Sequence, residues 1–156
     1  MRIAVMSDTH GLLRPAVLDA LRGAPLILHA GDLGKASVLE SLRAIAPVHA
    51  IRGNVDRGEW AASVPSTELI EIEGRLVYLI HDRHALDIDP GPHGAGVDVI
   101  ISGHSHRPAH EVRDGITWLN PGSVGPRRFS LPISMAWLTF ATAGGPPAVK
   151  FVTFDS

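Results

Sequence analysis

The chain has 156 residues, with 14 Lys and Arg against 16 Asp and Glu and a formal net charge of −2. That length fits one domain with a real core but not a second, and near-neutral charge without a block of consecutive Lys or Arg argues against a dedicated long nucleic-acid footprint. With no cysteine, disulfides, thiolate metal sites and a cysteine nucleophile are excluded together, so any metal must be held by nitrogen and oxygen.

Residues 2–6 read as a strand that begins at once. This leaves no room for a signal peptide, and no apolar stretch approaches the ~20 residues of a membrane span, so a soluble cytoplasmic protein is expected. A helix over about 14–22, a strand at 26–29, a helix over about 36–45 and a strand at 48–51 follow, an alternation that predicts parallel βαβ units. After about residue 66 the strands pair. ELIEIE and RLVYLI meet at Glu73-Gly74, AHEVR and ITWLN meet at Asp114-Gly115, and SMAWLTFAT and AVKFVTF read as a closing hairpin across Ala143 to Pro147. Between them, 83–95 reads as a loop or short helix. The expected fold is α/β: two mixed β-sheets packed as a sandwich and flanked by helices, one domain over residues 1–156.

Five apolar runs end directly in side chains that can bind metals. IAVM leads to Ser7-Asp8-Thr9-His10, LIL to His29-Ala30-Gly31-Asp32, HAI to Arg52-Gly53-Asn54, LVYLI to His81, and VDVII to Ser102-Gly103-His104-Ser105-His106. In α/β sheets, loops leaving the carboxyl ends of strands converge on one crevice. In an extended segment residues i and i+2 project to the same side, so Asp8 with His10, and His104 with His106, could each present two ligands to one region. Imidazole with carboxylate suits Mn²⁺, Fe²⁺, Zn²⁺ or Ni²⁺ better than Ca²⁺.

SDTH, GD, GNVD, a strand-ending His and GHSH, in that order, resemble the calcineurin-like metallophosphoesterase superfamily, whose fold is a four-layer α/β/β/α sandwich. The compact size and the NPGS at Asn120 to Ser123 resemble its small bacterial and archaeal phosphodiesterase branch, and no inserted cap domain is expected in this chain. The resemblance implies two divalent metal ions, with Mn²⁺ expected and Ni²⁺, Fe²⁺ or Zn²⁺ as alternatives. Asp8, His10, Asp32 and His106 would hold one, and Asp32, Asn54, His81 and His104 the other, with Asp32 bridging. Two divalent ions against only two anionic ligands leave a positive site, even with a bridging hydroxide, and the implied reaction is in-line attack of that hydroxide on phosphorus. A small phosphate-ester substrate and a homodimer or homotetramer are the implied partners.

The chain departs from the family pattern at Val55, where the phosphoprotein phosphatase branch carries a proton-donating histidine. Asp56, left without it, reads as a turn cap or loop brace. Instead of His-Gly-His the chain has His81-Asp82-Arg83-His84, which makes His84 the candidate general acid and Asp82 a partner or rival ligand. Arg57, Arg127 and Arg128 are surface charges by default that could pair with substrate phosphate. His29 reads as a core residue or a support for the site, and His49, His93 and His110 as surface or structural. Asn120 and Ser123 read as turn builders, with hydrogen bonding to the site as the family alternative. Trp118 and Trp137 read as packing, and Trp60 as an exposed rim or subunit contact. Two other readings stay open: a phosphomonoesterase or nucleotide pyrophosphohydrolase on the same metals, and a non-catalytic scaffold like the retromer subunit of this fold, which would show eroded ligands.

Overall fold

The computed structural model describes residues 1–155. Ten strands form two five-stranded sheets. The first sheet contains β1 (Arg2–Met6), β2 (Ile27–His29), β3 (Val48–Ala50), β9 (Ile133–Thr139) and β10 (Ala148–Phe154), in the order β10-β9-β1-β2-β3. The second contains β4 (Thr67–Ile72), β5 (Arg75–Ile80), β6 (Val99–Ile101), β7 (Ala109–Arg113) and β8 (Ile116–Asn120), in the order β4-β5-β6-β8-β7. Within the first sheet β1, β2 and β3 run parallel, and within the second β5, β6 and β8 do. Antiparallel neighbours complete both, giving the expected mixed sheets.

The period-two pattern decides what each sheet buries. Ile3, Val5 and Leu28 of the first sheet meet Val77, Leu79 and Ile101 of the second in an apolar layer between them. The other face of the first sheet, with Ala4, Met6 and Ile27, is covered by Val17 of α1 (Pro15–Ala20) and by Val38, Leu39 and Leu42 of α2 (Ala36–Arg43). Pro15 opens α1, where its fixed φ and missing N–H cost nothing.

One feature differs from the sequence reading. A four-residue helix, α3 (Glu59–Ala62), follows the third strand, and it tucks Trp60 partly into the first-sheet core instead of onto a rim. On the outer face of the second sheet, Tyr78, Ile80, Ile100 and Ile116 are covered by Leu86, Ile88 and Val97 from the segment 83–97, whose regular structure is one 3₁₀ turn, Arg83–Ala85. The segment is thus mostly loop, as the sequence reading allows for 83–95, and Trp118, only partly buried, packs against the same apolar cluster.

Both two-residue hairpin turns have positive φ at both centres, 49° and 78° at Glu73 and Gly74, and 53° and 77° at Asp114 and Gly115. These are the backbone signs of a type I′ turn.

Candidate metal centre

The carboxyl ends of the five strands that precede the candidate residues gather at one edge of the sandwich. Asp8, His10 and His106 form one group of donor atoms lying within 4.8 Å of each other, and Asp8, Asp32 and His81 form another. Asp8 thus belongs to both groups, while Asp32 Oδ2 reaches toward both, 3.1 Å from His81 Nε2 and 3.5 Å from His10 Nε2.

Some of the atoms that face one another here have no hydrogen-bond partner among the described residues. Asp8 Oδ1 is buried and has no hydrogen-bond partner among the described residues, yet three imidazole Nε2 atoms surround it: His106 at 3.4 Å, His10 at 3.7 Å and His81 at 3.9 Å. His10 and His106 also bring their Nε2 atoms to 3.3 Å. His81 donates Nδ1–H to the Ala30 carbonyl at 2.7 Å, so its neutral ring turns a lone pair at Nε2 toward the carboxylates, and that nitrogen is likewise buried without a partner. Lone pairs converging at this range repel unless a cation stands among them, and buried unmet acceptors are costly. The donor set therefore fits nitrogen- and oxygen-bound divalent ions.

Protons substitute in part. Burial opposes ionisation of Asp8, but the nearby His10 and His106 imidazoles and the Ser7 hydroxyl outweigh it and hold the carboxyl below its ordinary range. Burial works in the same way against Asp32, which His81 and the Val55 N–H nonetheless hold down. Burial also opposes charge on His81, but Asp32, Asp8 and the Ala30 carbonyl raise its pKa.

Strained loops hold the ligands. Asp8, His10, Asp32, His104 and His106 all have left-handed backbone, with φ between 47° and 71°. Non-glycine residues adopt this conformation at a cost, and such outliers cluster at functional sites. The i, i+2 pairs meet because two left-handed residues flank one other, not because the segment is extended. Backbone bonds fix the geometry: Asp8 N donates to Gly31 O and His10 N to Asp32 O, at 3.0 and 2.9 Å. Two glycines admit the close approach. A Cβ on Gly103 would run into Ser7 Oγ and lie 2.6 Å from Asp8 Oδ2, and one on Gly53 would run into Asp32.

Residues around the centre brace it. His104 N donates to Asp8 Oδ2 at 3.1 Å, and the His104 ring lies edge-on to His81 with centroids 5.2 Å apart. The His104 ring stays exposed and outside both donor groups. Asn54 is exposed on the loop after β3, where the next residue, Val55, donates its N–H to Asp32 Oδ1 at 3.1 Å. The buried Asp56 carboxylate accepts from Leu33 N, Gly34 N and Gly53 N at 2.9 to 3.1 Å, stitching the β2 and β3 loops together. Asn120 donates to Gly103 O at 2.9 Å and Ser123 donates to Asp8 O at 3.0 Å, so the NPGS turn supports both histidine- and aspartate-bearing loops. His84 is exposed and lies beside His104 in the lining of a trough, with its N–H donating to Asp82 Oδ1 at 3.0 Å. Arg57, Arg127 and Arg128 are exposed, as are His93 and His110, while His49 pairs with Glu68 at 2.7 Å.

His29 has no free atom for a metal. Its Nδ1 accepts from Gly31 N at 3.1 Å, so the proton sits on Nε2 and is donated to Thr9 Oγ1 at 3.1 Å, and Thr9 passes its own to Leu33 O at 2.9 Å. Complete burial pushes its pKa from 6.5 down to about 4. The unfolded chain takes up a proton near 6.5 and the folded chain resists until about 4, so stability from this group is present above 6.5 and lost as pH falls to 4. The loss is about 3 kcal/mol at 1.36 kcal/mol per unit. We expect chemical unfolding of the metal-free parent and a His29→Asn variant to show a gap that shrinks by about that amount between pH 7 and 4; a gap independent of pH would contradict the neutral-histidine assignment.

The sequence model of the calcineurin-like phosphoesterase superfamily domain matches residues 1–143. A probable metallophosphoesterase of Methanothermobacter thermautotrophicus is 38% identical over 151 residues, covering 86% of this chain and 84% of the relative. The phosphodiesterase YfcE of Escherichia coli K12 is 30% identical over 161 residues, covering 88% and 87%. The solved structure of wild-type Vps29 complexed with Zn²⁺ from Entamoeba histolytica superposes with a TM-score of 0.74 at 25% identity, covering 99% of this chain and 100% of that one.

Proposed function

Because the chain belongs to the calcineurin-like phosphoesterase superfamily, we propose that it is a dinuclear metal-dependent phosphodiesterase acting on a small phosphate ester. The observation that carries this reading is the buried, unpartnered Asp8 Oδ1 ringed by three imidazole nitrogens. Asp8, His10 and His106 would hold one ion and Asp32, His81, Asn54 and His104 the other, with Asp8 or Asp32 shared between them. Bound divalent ions supply Lewis acidity and water activation for hydrolysis at phosphorus. Mn²⁺ is our choice, with Ni²⁺, Fe²⁺ or Zn²⁺ as alternatives, and we propose a cytoplasmic setting and a homodimer or homotetramer.

The chain's own residues do the rest. His81 presents Nε2 because Ala30 fixes its tautomer, and a metal must displace the proton that Asp32 and Asp8 favour there, so affinity falls toward acid pH. His84, exposed in the same trough lining as His104, is our candidate to give a proton to the departing oxygen in place of the histidine that the phosphoprotein phosphatase branch carries at position 55. Arg57 and Arg127, both exposed, and Asn54 are our candidates for pairing with the substrate phosphate.

The test is hydrolysis of bis-p-nitrophenyl phosphate and p-nitrophenyl phosphate by metal-stripped protein resupplied with Mn²⁺, Ni²⁺, Zn²⁺ or Mg²⁺. We expect metal-dependent cleavage that favours the diester and falls roughly 100-fold in Asn54→Ala. A preference for the monoester would favour the phosphomonoesterase reading. Bound metal with no cleavage at all would favour a scaffold, the reading that the likeness to Vps29 keeps open.

A further inference from the structure

A trough of about 220 Å³ starts at His84 and His104 and runs along the second sheet to Trp118. Its size lies below the roughly 300–1,000 Å³ of drug-sized pockets, leaving room for one flat group. Trp118 forms part of its lining and is only partly buried, packed against the outer-face cluster of the second sheet, where Ile116 of the same strand is buried. The indole Nε1 is buried with no hydrogen-bond partner among the described residues. Trp N–H groups usually find one when buried, so packing alone does not account for the residue.

The Arg83 guanidinium, which also lines the trough, sits 6.0 Å from the Trp118 ring centroid. A planar ring between them needs two contacts of about 3.5 Å, so Arg83 has only to swing outward by about 1 Å. Nothing strong resists that: its ion pair with Glu111, at 3.4 Å, is exposed on both sides, and such pairs are weak. At the other end His104 abuts His81 of the metal centre. The trough therefore begins where a phosphorus would sit and ends in an aromatic face under a cation.

We propose that this trough is the subsite for a planar ring carried by one ester group of the substrate, a nucleobase or an aryl group, stacked between Trp118 and Arg83. The proposal rests on the phosphodiesterase reading and narrows its substrates to ring-bearing phosphodiesters. The charge pattern agrees, because Arg83 and Arg107 line the trough and Arg113, outside that lining, stands 4.9 Å from the Trp118 ring centroid, a local group of cations beside a ring and no continuous basic track for a polymer.

The experiment measures inhibition of bis-p-nitrophenyl phosphate hydrolysis, and direct calorimetric binding, by two matched pairs: thymidine 5′-monophosphate against 2-deoxyribose 5-phosphate, and phenyl phosphate against methyl phosphate. In each pair the phosphate is kept and the ring removed. The parent should bind the ring-bearing member roughly 10- to 100-fold more tightly, as base–aromatic stacking allows. Trp118→Leu, which keeps bulk but loses the aromatic face, should erase the difference and raise KM for the diester with kcat nearly unchanged, as loss of uniform binding does. Trp118→Ala should agree, and melting curves of both variants establish that they fold. A thymidine effect without a phenyl effect identifies a nucleoside; both effects identify any flat ring. Equal affinities within each pair in the parent, alongside normal diester hydrolysis, overturn the subsite and leave the phosphodiesterase intact. Absence of hydrolysis with every metal overturns the function and the subsite together.

Discussion

Asp8→Asn lowers kcat/KM for metal-dependent diester cleavage by roughly 10³-fold or more, above the 10–100-fold that an outer partner of a metal ligand costs, while the protein stays folded. The two carboxylate oxygens have separate jobs. Oδ2 accepts from Ser7 Oγ at 2.7 Å and from His104 N at 3.1 Å, whereas Oδ1 faces only the three imidazoles. Asparagine is isosteric and can keep its carbonyl toward Ser7 and His104, which places an amide NH₂ where the free oxygen stood. That group cannot ligate a cation, and one of the site's two anionic donors is lost. Metal content per chain should fall alongside activity, and far-UV circular dichroism should not change. Parent-like activity with a full metal complement would remove Asp8 from the centre and with it the reading of the unpartnered oxygen.

Asp56→Asn is expected to destabilise the protein by about 3 kcal/mol or more, since bonds to a charged acceptor contribute roughly 1.5–3 kcal/mol each and unmet buried donors add to the loss. For a chain of this length that corresponds to a drop in Tm of roughly 6–12 °C. The carboxylate takes three backbone N–H groups, from Leu33, Gly34 and Gly53. An amide in either orientation turns a donor toward at least one of them. The loops tied together here carry Asp32 and Asn54, so activity should fall with the melting temperature even where the protein is fully folded. A variant that melts with the parent would show that the loops are held by their backbone bonds alone.

The sites on the chain were legible because strand ends are legible. Apolar runs closing on Asp8, Asp32, His81 and His104 mark the places where a parallel sheet stops burying side chains, and the geometry of such sheets does the gathering. The cause of the pairing within SDTH and GHSH was not legible, because left-handed backbone at Asp8, His10, His104 and His106 is imposed by Gly31, Asp32 and the neighbouring loops, from distant parts of the sequence. The role of Asp8 in both donor groups, where Asp32 alone was expected to bridge, likewise depends on tertiary placement. Helix α3 escaped notice because four residues give no periodicity and Gly58 offers no side-chain cap. Trp60 followed it inward. The loop over the second sheet was marked by its Pro and Gly content as irregular, but which apolar residues it would cover, and that Trp118 would be only partly buried beside them, depends on sheet order.

Five residues in left-handed backbone also set a direction for sequence change. Each such residue costs roughly 1 kcal/mol or more that glycine would not. Stability alone would therefore favour glycine at Asp8, His10, Asp32, His104 and His106, and only the need for their side chains opposes it. A descendant released from that need would gain stability by losing these residues, so its hairpins and sandwich would outlast its ligands, and the fold would be kept by the same drift that emptied the centre.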